Sequence, residues 1–505
     1  MLSAGLRNPF FAVHDGIARN KTSISGKPVL HFSGYNYLGM SGHPAVHKAA
    51  HEAIDRYGTS CSASRIISGN KPLHEELEHE LADLYNADAA MIFSSGHHCN
   101  ETTIGHLFGP RDLVIHDALA HNCIVQGVLL SGAQRRSFKH GDLAHLDALL
   151  TAERHKFEKC GVLIEGVYSM DGDIAPIPEF LKLREKHKFF LYVDESHATG
   201  TVGKGGGGTC ELFNVGRGEV DIYMGTLSKG FASCGGFLCG SATLIHYLKY
   251  ATPGFIFSAG ISPANTAAAL ASLRQMKKEP QTVRRLQQNA DNFRELLHAH
   301  SLDTGLSDGT AIVPLIVGGT EKAMALAQVM AGRGVNVNPI GYPAVSEGEA
   351  RLRFFISSTH TDKDLKYTAD ALAESIPQVE EALRLRKRGP VAPPTEAEGA
   401  DPIVQWRGWL YKLGAFYTSF KRRYFVLTRD GELFWYEHEE RAEAHAKPKG
   451  KLSVKGAGVL PVSDATKGRF RFVVKPAADK KRLYVFEAYS ESIYSNCVAA
   501  LLQSV

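Results

Sequence analysis

Phe189-Phe-Leu-Tyr-Val-Asp194-Glu-Ser-His197 is an apolar, strand-like run closed by a carboxylate, and Val220-Asp-Ile-Tyr-Met-Gly-Thr-Leu-Ser-Lys229 is a second such run closed by a lysine. The glycines Gly235-Gly236 follow just beyond. Side chains at the ends of parallel strands face the crevice where ligands bind in open α/β sheets. The pair therefore predicts a carboxylate and a primary amine in one crevice. An amine can condense with an aldehyde, and a carboxylate can keep a pyridine nitrogen protonated so that the ring accepts electrons. Together they point to a site for pyridoxal phosphate (PLP).

Working outward, apolar runs alternate with amphipathic helical patterns from about residue 46 to 270. Strand candidates are Asp112–Ile115, Val162–Glu165, Phe190–Val193 and Ile222–Gly225. In Pro72-Leu-His-Glu-Glu-Leu-Glu-His-Glu-Leu, the spacing puts Leu73, Leu77 and Leu81 on one helical stripe that Leu84 extends, and Pro72 suits the first turn. The alternation predicts a mostly parallel sheet with helices on both faces. Residues 1–45 read as an N-terminal arm with short strand pieces. Residues 271–387 read as a smaller α+β lobe with strands at Ile312–Val317 and Arg351–Ile356. Residues 388–403, rich in proline and glycine after a basic cluster, read as a linker. Residues 404–505 change to short aromatic-rich alternating runs and end in a helical pattern from about Glu491 to Leu502, which predicts an all-β module closed by a helix. The glycines Gly205–Gly208 read as a flexible loop, since no lysine-bearing phosphate loop follows.

Composition sets bounds. With 505 residues, 44% hydrophobic and 22% charged, the chain is long enough for two or three globular domains. No uninterrupted apolar run is long enough to span a bilayer, and the first ten residues lack the layout of a secretory signal. The eight cysteines are scattered without a C-x-x-C pair, which fits a reducing, cytoplasmic setting. Residues 404–505 hold 18 Lys and Arg against 10 Asp and Glu, whereas residues 1–403 hold 39 against 43. That asymmetry predicts an anionic partner for the terminal module alone; no nucleic-acid partner is expected. The pair His97-His98 lacks metal-ligand spacing, and no metal is expected.

Eight segments match one family together in order and spacing: Tyr35-Asn-Tyr-Leu-Gly39, Ser68-Gly-Asn-Lys-Pro-Leu-His-Glu-Glu-Leu77, Phe93-Ser-Ser-Gly96, His116-Asp-Ala-Leu-Ala-His121, Glu165-Gly-Val-Tyr-Ser-Met-Asp-Gly-Asp173, Asp194-Glu-Ser-His197, Gly225-Thr-Leu-Ser-Lys229 and Arg351-Leu-Arg353. Residues from about 30 to 380 thus resemble the α-oxoamine synthases, fold-type I PLP enzymes that include serine palmitoyltransferase and 8-amino-7-oxononanoate synthase. The resemblance implies the PLP-dependent transferase fold and a homodimer. It implies that Lys229 carries the cofactor and moves the proton at the amino acid Cα, that Asp194 pairs with the pyridine nitrogen, and that His121 stacks over the ring. By the same resemblance His197 and Ser169 lie near the phenolic oxygen, while Ser95, Gly96, His97 and Thr226 lie at the phosphate. Arg353 would take the substrate carboxylate, with Tyr35 and Asn36 beside the substrate. Arg351 is expected to face away from Arg353 and to be structural.

Departures from the family pattern carry information. Tyr35 stands where glycine-using members commonly have Asn, a form that resembles serine palmitoyltransferases and synthases attached to polyketide assembly lines. Ala259 replaces a Thr that many members supply to the phosphate from the second subunit, which leaves Ser258 for that contact. The implied reaction condenses a small amino acid (serine, glycine or alanine) with an acyl thioester, from coenzyme A or an acyl-carrier protein, and releases carbon dioxide. The rival readings are another fold-type I enzyme such as an aminotransferase, and a non-catalytic membrane-bound scaffold. Residues 404–505 resemble a pleckstrin-homology (PH) domain. Lys412, Lys421 and Arg423 fit the basic pattern of phosphoinositide-binding members, and Cys497 stands where the terminal helix usually buries a Trp.

Overall fold

The computed structural model describes residues 8–387, 404–413, 420–443, 447–455, 457–461, 470–475, 484–488, 497–498 and 501. The chain divides into two compact units, residues 1–389 and 390–505. The linker expected at 388–403 lies outside the described residues.

In the first unit β1 (His14–Asp15), β2 (Lys21–Ile24) and β3 (Lys27–His31) form an antiparallel ribbon. Beyond it come α1 (Pro44–Tyr57) and α2 (Pro72–Leu84). Pro72 sits in the first turn of α2, whose Leu77 and Leu81 are buried while Leu73 and Leu84 are half-buried, as the stripe predicts. The large sheet follows: β4 (Ala89–Phe93), β5 (Leu113–Asp117), β6 (Gln134–Phe138), β7 (Cys160–Glu165), β8 (Phe190–Asp194), β9 (Ile222–Thr226) and β10 (Gly236–Gly240). Their order is β4-β10-β9-β8-β7-β5-β6. The pairings β6-β5-β7-β8-β9 are all parallel, and β10 runs against both β9 and β4. Two helices that matter below, α3 (Gly96–Leu107) and α4 (Asn122–Ser131), follow β4 and β5.

Strands covered on both faces read as continuous apolar runs, and their alternation feeds two cores. Leu191 and Val193 of β8 enter the larger core, while Tyr192 enters a second one with Leu163, Met224 and Cys99. Period two then places Asp194 on the Tyr192 face, beside Glu165 of β7, its partner in register.

The C-terminal lobe contributes β11 (Ile312–Gly318), β12 (Val335–Asn336), β13 (Asn338–Ile340) and β14 (Ala350–Phe355), ordered β11-β14-β13 in one sheet. The odd strand out, β12, pairs in parallel with β3. The N-terminal stretch is therefore joined to the lobe by a sheet whose partners lie some three hundred residues apart in sequence, a pairing that local pattern cannot reveal. The Gly205–Gly208 segment falls in a loop tied by hydrogen bonds. Gly205 and Gly207 donate their N–H groups to the Glu211 carboxylate at 2.8–2.9 Å, and Gly200 N–H donates to Gly206 O at 2.8 Å. It is a loop closed around an internal anion.

The second unit is one antiparallel sheet. Its strands are β15 (Val404–Leu413), β16 (Phe420–Thr428), β17 (Glu432–Tyr436), β18 (Gly450–Ser453), β19 (Gly458–Pro461), β20 (Phe470–Lys475) and β21 (Tyr484–Ala488), ordered β18-β17-β16-β15-β21-β20-β19. Leu410, Phe425, Leu433 and Phe486 share a core with Cys497, Val498 and Leu501, so Cys497 does occupy a buried position under the sheet. Apart from those last three residues, the expected terminal helix lies outside the described residues.

Candidate active site

Parallel topology delivers the carboxyl ends of β4, β5, β7, β8 and β9 to one edge of the sheet, where a cavity of about 330 Å³ opens. Ser95, Gly96 and His97 enter it from the turn after β4, His121 from the turn after β5, and Ser169 from the segment after β7. Asp194 and His197 enter from β8, Thr226 and Lys229 from β9. Tyr35 and Arg353 close the mouth from the N-terminal stretch and β14. Eleven sequence-predicted residues are thus brought together.

Asp194 is anchored from two sides. Asn100 Nδ2 donates to its Oδ2 at 2.6 Å and the Ser196 N–H donates to its Oδ1 at 2.9 Å. Lys229 Nζ lies 5.5 Å over the Tyr35 ring and has no hydrogen-bond partner among the described residues. Burial pushes its ammonium down to about 8, while Asp194 and Glu165 pull the other way. Glu165 shares the cavity. Its Oε1 accepts the His121 N–H at 2.7 Å, and burial, with Asp194 alongside, raises its carboxyl to about 8.

His121 caps α4 by accepting the Cys123 N–H on Nδ1 at 3.2 Å, so a neutral ring carries its proton on Nε2. His197 is buried and bonded through Nδ1 to Tyr37 Oη at 2.9 Å. Burial, with the Lys229 and Arg353 cations nearby, drives its pKa far down and keeps it neutral.

The N-terminus of α3 also lines the cavity. Ser95 is the N-cap of α3, and its Oγ accepts the His98 N–H at 3.5 Å. The other N–H groups of that first turn have no intrahelical acceptor. Glycine is required at this spot: a Cβ on Gly96 would stand 2.9 Å from Thr226 Oγ1, and one on Gly236 would stand 2.6 Å from Gly96 Cα.

Arg353 donates from Nη1 to Ser169 O at 2.9 Å, and its guanidinium lies 4.7 Å over the Phe355 ring. Its buried Nε has no hydrogen-bond partner among the described residues. Arg351 does not face away. Residues two apart on a strand share a face, and Arg351 bonds Asp171 Oδ1 at 2.5 Å and Met170 O at 3.0 Å. Both arginines therefore hold the segment 169–171.

Two residues lie elsewhere. The Asn36 amide is consumed by backbone, donating to Ala18 O at 2.8 Å and accepting from Ser41 N at 3.1 Å. Ser258 lines a separate small cleft beside Arg65 and Ser94, next to the Ala259–Ser64 bridge; the contact expected of it is one made across to a second subunit. Asn100, Cys123 and Glu165 line the cavity and were assigned no role from sequence. Their one available signal was a polar residue on a stripe otherwise buried, as with Asn100 beside Cys99 and Ile104.

An amine, a carboxylate, a helix N-terminus and a guanidinium gathered on one cavity fit the chemistry of PLP. In the second unit, β15 and β16 put Lys412 opposite Lys421. Lys412 lies two residues beyond buried Leu410, and Arg423 two before buried Phe425, so both continue the inner face of the sheet. Lys412 Nζ sits 4.5 Å over Trp435 and 5.3 Å over Tyr484; the Lys421 side chain lies outside the described residues.

Comparison with known proteins agrees. Residues 27–372 match the family model for aminotransferase class I and II, and residues 404–504 match that for the PH domain. The chain is 39% identical over 350 residues to the 8-amino-7-oxononanoate synthase of Fervidobacterium nodosum, covering 69% of this chain and 88% of that one. Serine palmitoyltransferase from S. paucimobilis, solved with bound PLP and myriocin, superposes with a TM-score of 0.71 at 30% identity over 75% of this chain and 96% of that one. Serine palmitoyltransferase of Sphingomonas wittichii gives 0.71 at 29% identity over 75% and 95%. The chain belongs to the α-oxoamine synthases, PLP-dependent acyltransferases of the aminotransferase class I and II fold, and carries a C-terminal PH domain.

Proposed function

We propose that the enzyme condenses a small amino acid with an acyl thioester, with loss of carbon dioxide, to give an α-amino ketone. The observation that carries this reading is the placement of Lys229, Asp194, His121 and Arg353 around one cavity. PLP, when bound, supplies the electron sink for the substrate Cα. Lys229 would hold the cofactor through Nζ and be the base that takes the Cα proton. Asp194 would hold the cofactor at its ring nitrogen. Arg353, which lines the cavity, binds the amino acid carboxylate. The Cα then bonds to the thioester carbonyl carbon, the thiolate leaves and takes up a proton, the carboxylate departs as carbon dioxide, and the electron pair left on Cα takes a proton back from Lys229. His121 Nε2–H donates to the oxygen that gains charge in that step. The Tyr35 ring, 5.5 Å from Lys229 Nζ and 4.9 Å from the Phe355 ring, narrows the mouth and favours serine or another small amino acid.

Relatives named as serine palmitoyltransferases and 8-amino-7-oxononanoate synthases support a thioester donor, and a homodimer is the assembly proposed. Among the described residues no helix is long and apolar enough to cross a membrane. The PH domain, with Lys412, Lys421 and Arg423, is proposed to bring the enzyme from the cytoplasm to a phosphoinositide-bearing surface. The deciding experiment is a matrix of amino acids against acyl-CoA and acyl-carrier donors, scored for carbon dioxide and free thiol. Amino-group transfer to an α-keto acid without thiol release would overturn the reading.

A further inference from the structure

Asn100 is wholly buried at the second turn of α3 and touches three functional neighbours. Tyr192 Oη donates to its Oδ1 at 2.8 Å. Its Nδ2 donates to Asp194 Oδ2 at 2.6 Å and to Cys123 Sγ at 3.1 Å. Cys123 in turn meets His121 Nδ1 through both its thiol, at 2.8 Å, and its backbone N–H, at 3.2 Å. The direction of this chain is set. An ionised carboxylate can only accept, so the amide must present its nitrogen to Asp194 and its oxygen to the tyrosine. Flipping the amide would set two oxygens 2.6 Å apart. Tyr192 and Asp194 share one face of β8, two residues apart, which lets a single amide bridge them.

We propose that Asn100 is a positioning residue: it orients Asp194 and joins it, through Cys123, to His121, so that the groups at the edge and over the face of the cofactor ring are held as one unit. The inference rests on the reading of Asp194 as the partner of the ring nitrogen. With the Asn100 donor bonded to Oδ2 and the Ser196 N–H to Oδ1, the carboxylate is fixed in plane and keeps lone pairs for that nitrogen. Without Asn100 the carboxylate turns and the ring nitrogen is less firmly protonated.

The test uses the PLP-loaded full chain and follows its visible absorption against pH, together with the PLP dissociation constant and the melting temperature. A protonated ring nitrogen is a cation that disfavours a second proton nearby, so weakening it moves the spectral midpoint upward. Asp194→Asn is expected to raise the midpoint by about one unit or more. Asn100→Ala is expected to move it the same way by at least about half a unit and to weaken PLP binding about tenfold, the factor for one charge-assisted hydrogen bond. Tyr192→Phe, which removes only one hydroxyl, should shift it less with the same sign and serves if Asn100→Ala does not fold. An unshifted midpoint in Asp194→Asn would overturn the reading of Asp194 itself. A shift in Asp194→Asn but none in Asn100→Ala and Tyr192→Phe, with only the melting temperature lowered, would overturn the inference.

Discussion

At the scale of the residue, Lys229 is the group on which the proposed chemistry depends. Its amine is crowded into the cavity without a hydrogen-bond partner among the described residues, and burial brings it down to about 8. Capture of an aldehyde needs the neutral amine, so the rate at which apoenzyme binds PLP should climb with pH through about 8 and then level off. Stopped-flow absorbance reads this directly; a rate still climbing steeply near the pKa of an ordinary lysine, about 10.4, would contradict it. Lys229→Ala should lower turnover by at least about a thousandfold, since it removes both the attachment point and the base. Circular dichroism of that variant should be unchanged, because no described residue hydrogen-bonds to the amine it removes.

At the scale of the element, the turn after β4 and the start of β10 touch backbone to backbone. A Cβ on Gly236 would lie 2.6 Å from Gly96 Cα, and neither strand can yield without breaking its ladder. Gly236→Ala should destabilise the protein by about 1–3 kcal/mol and weaken PLP binding, read by calorimetry and equilibrium dialysis. A second device ties the segment after β7 to the end of β5. His140 bonds Asp117 Oδ1 at 3.0 Å and Asp173 Oδ2 at 3.1 Å. Burial alone would lower its pKa, but the two carboxylates outweigh that and hold it up to about 10. A raised pKa stabilises the fold fully below the unfolded value of 6.5, and the benefit is lost as pH rises through about 10. The melting temperature gap between wild type and His140→Gln should therefore be wide at pH 6 and close near pH 10.

At the scale of the whole molecule, a mildly acidic synthase is joined in one chain to a basic PH domain. Lys412 and Arg423 continue the inner face of that domain's sheet, and Lys421 sits opposite Lys412 in register. Sedimentation of the full chain with vesicles should depend on phosphoinositide and weaken as salt rises. At about 1 kcal/mol per basic residue near an anionic surface, replacing Lys421 and Arg423 by Ala together should weaken binding about thirtyfold. Equal binding to neutral vesicles would remove the lipid role. Four strands of the large sheet, β5, β7, β8 and β9, were legible in sequence because burial on both faces demands unbroken apolar runs; β8 ends at Asp194, and Lys229 follows β9 by three residues. The edge strand β6, Gln-Arg-Arg-Ser-Phe, was not, since a strand at the sheet margin needs no such run. Local pattern and short motifs thus determined four neighbouring strands of the sheet, the placing of Lys229 and Asp194 at strand ends on one crevice, and the basic terminal module. Only the tertiary structure decided that β3 pairs with β12, that Arg351 and Arg353 grip the same segment, that Asn36 is spent on backbone, and that Asn100 links Asp194 to Tyr192. Each of those depends on groups distant in sequence meeting across a strand edge or a helix face, and no local period encodes such a meeting.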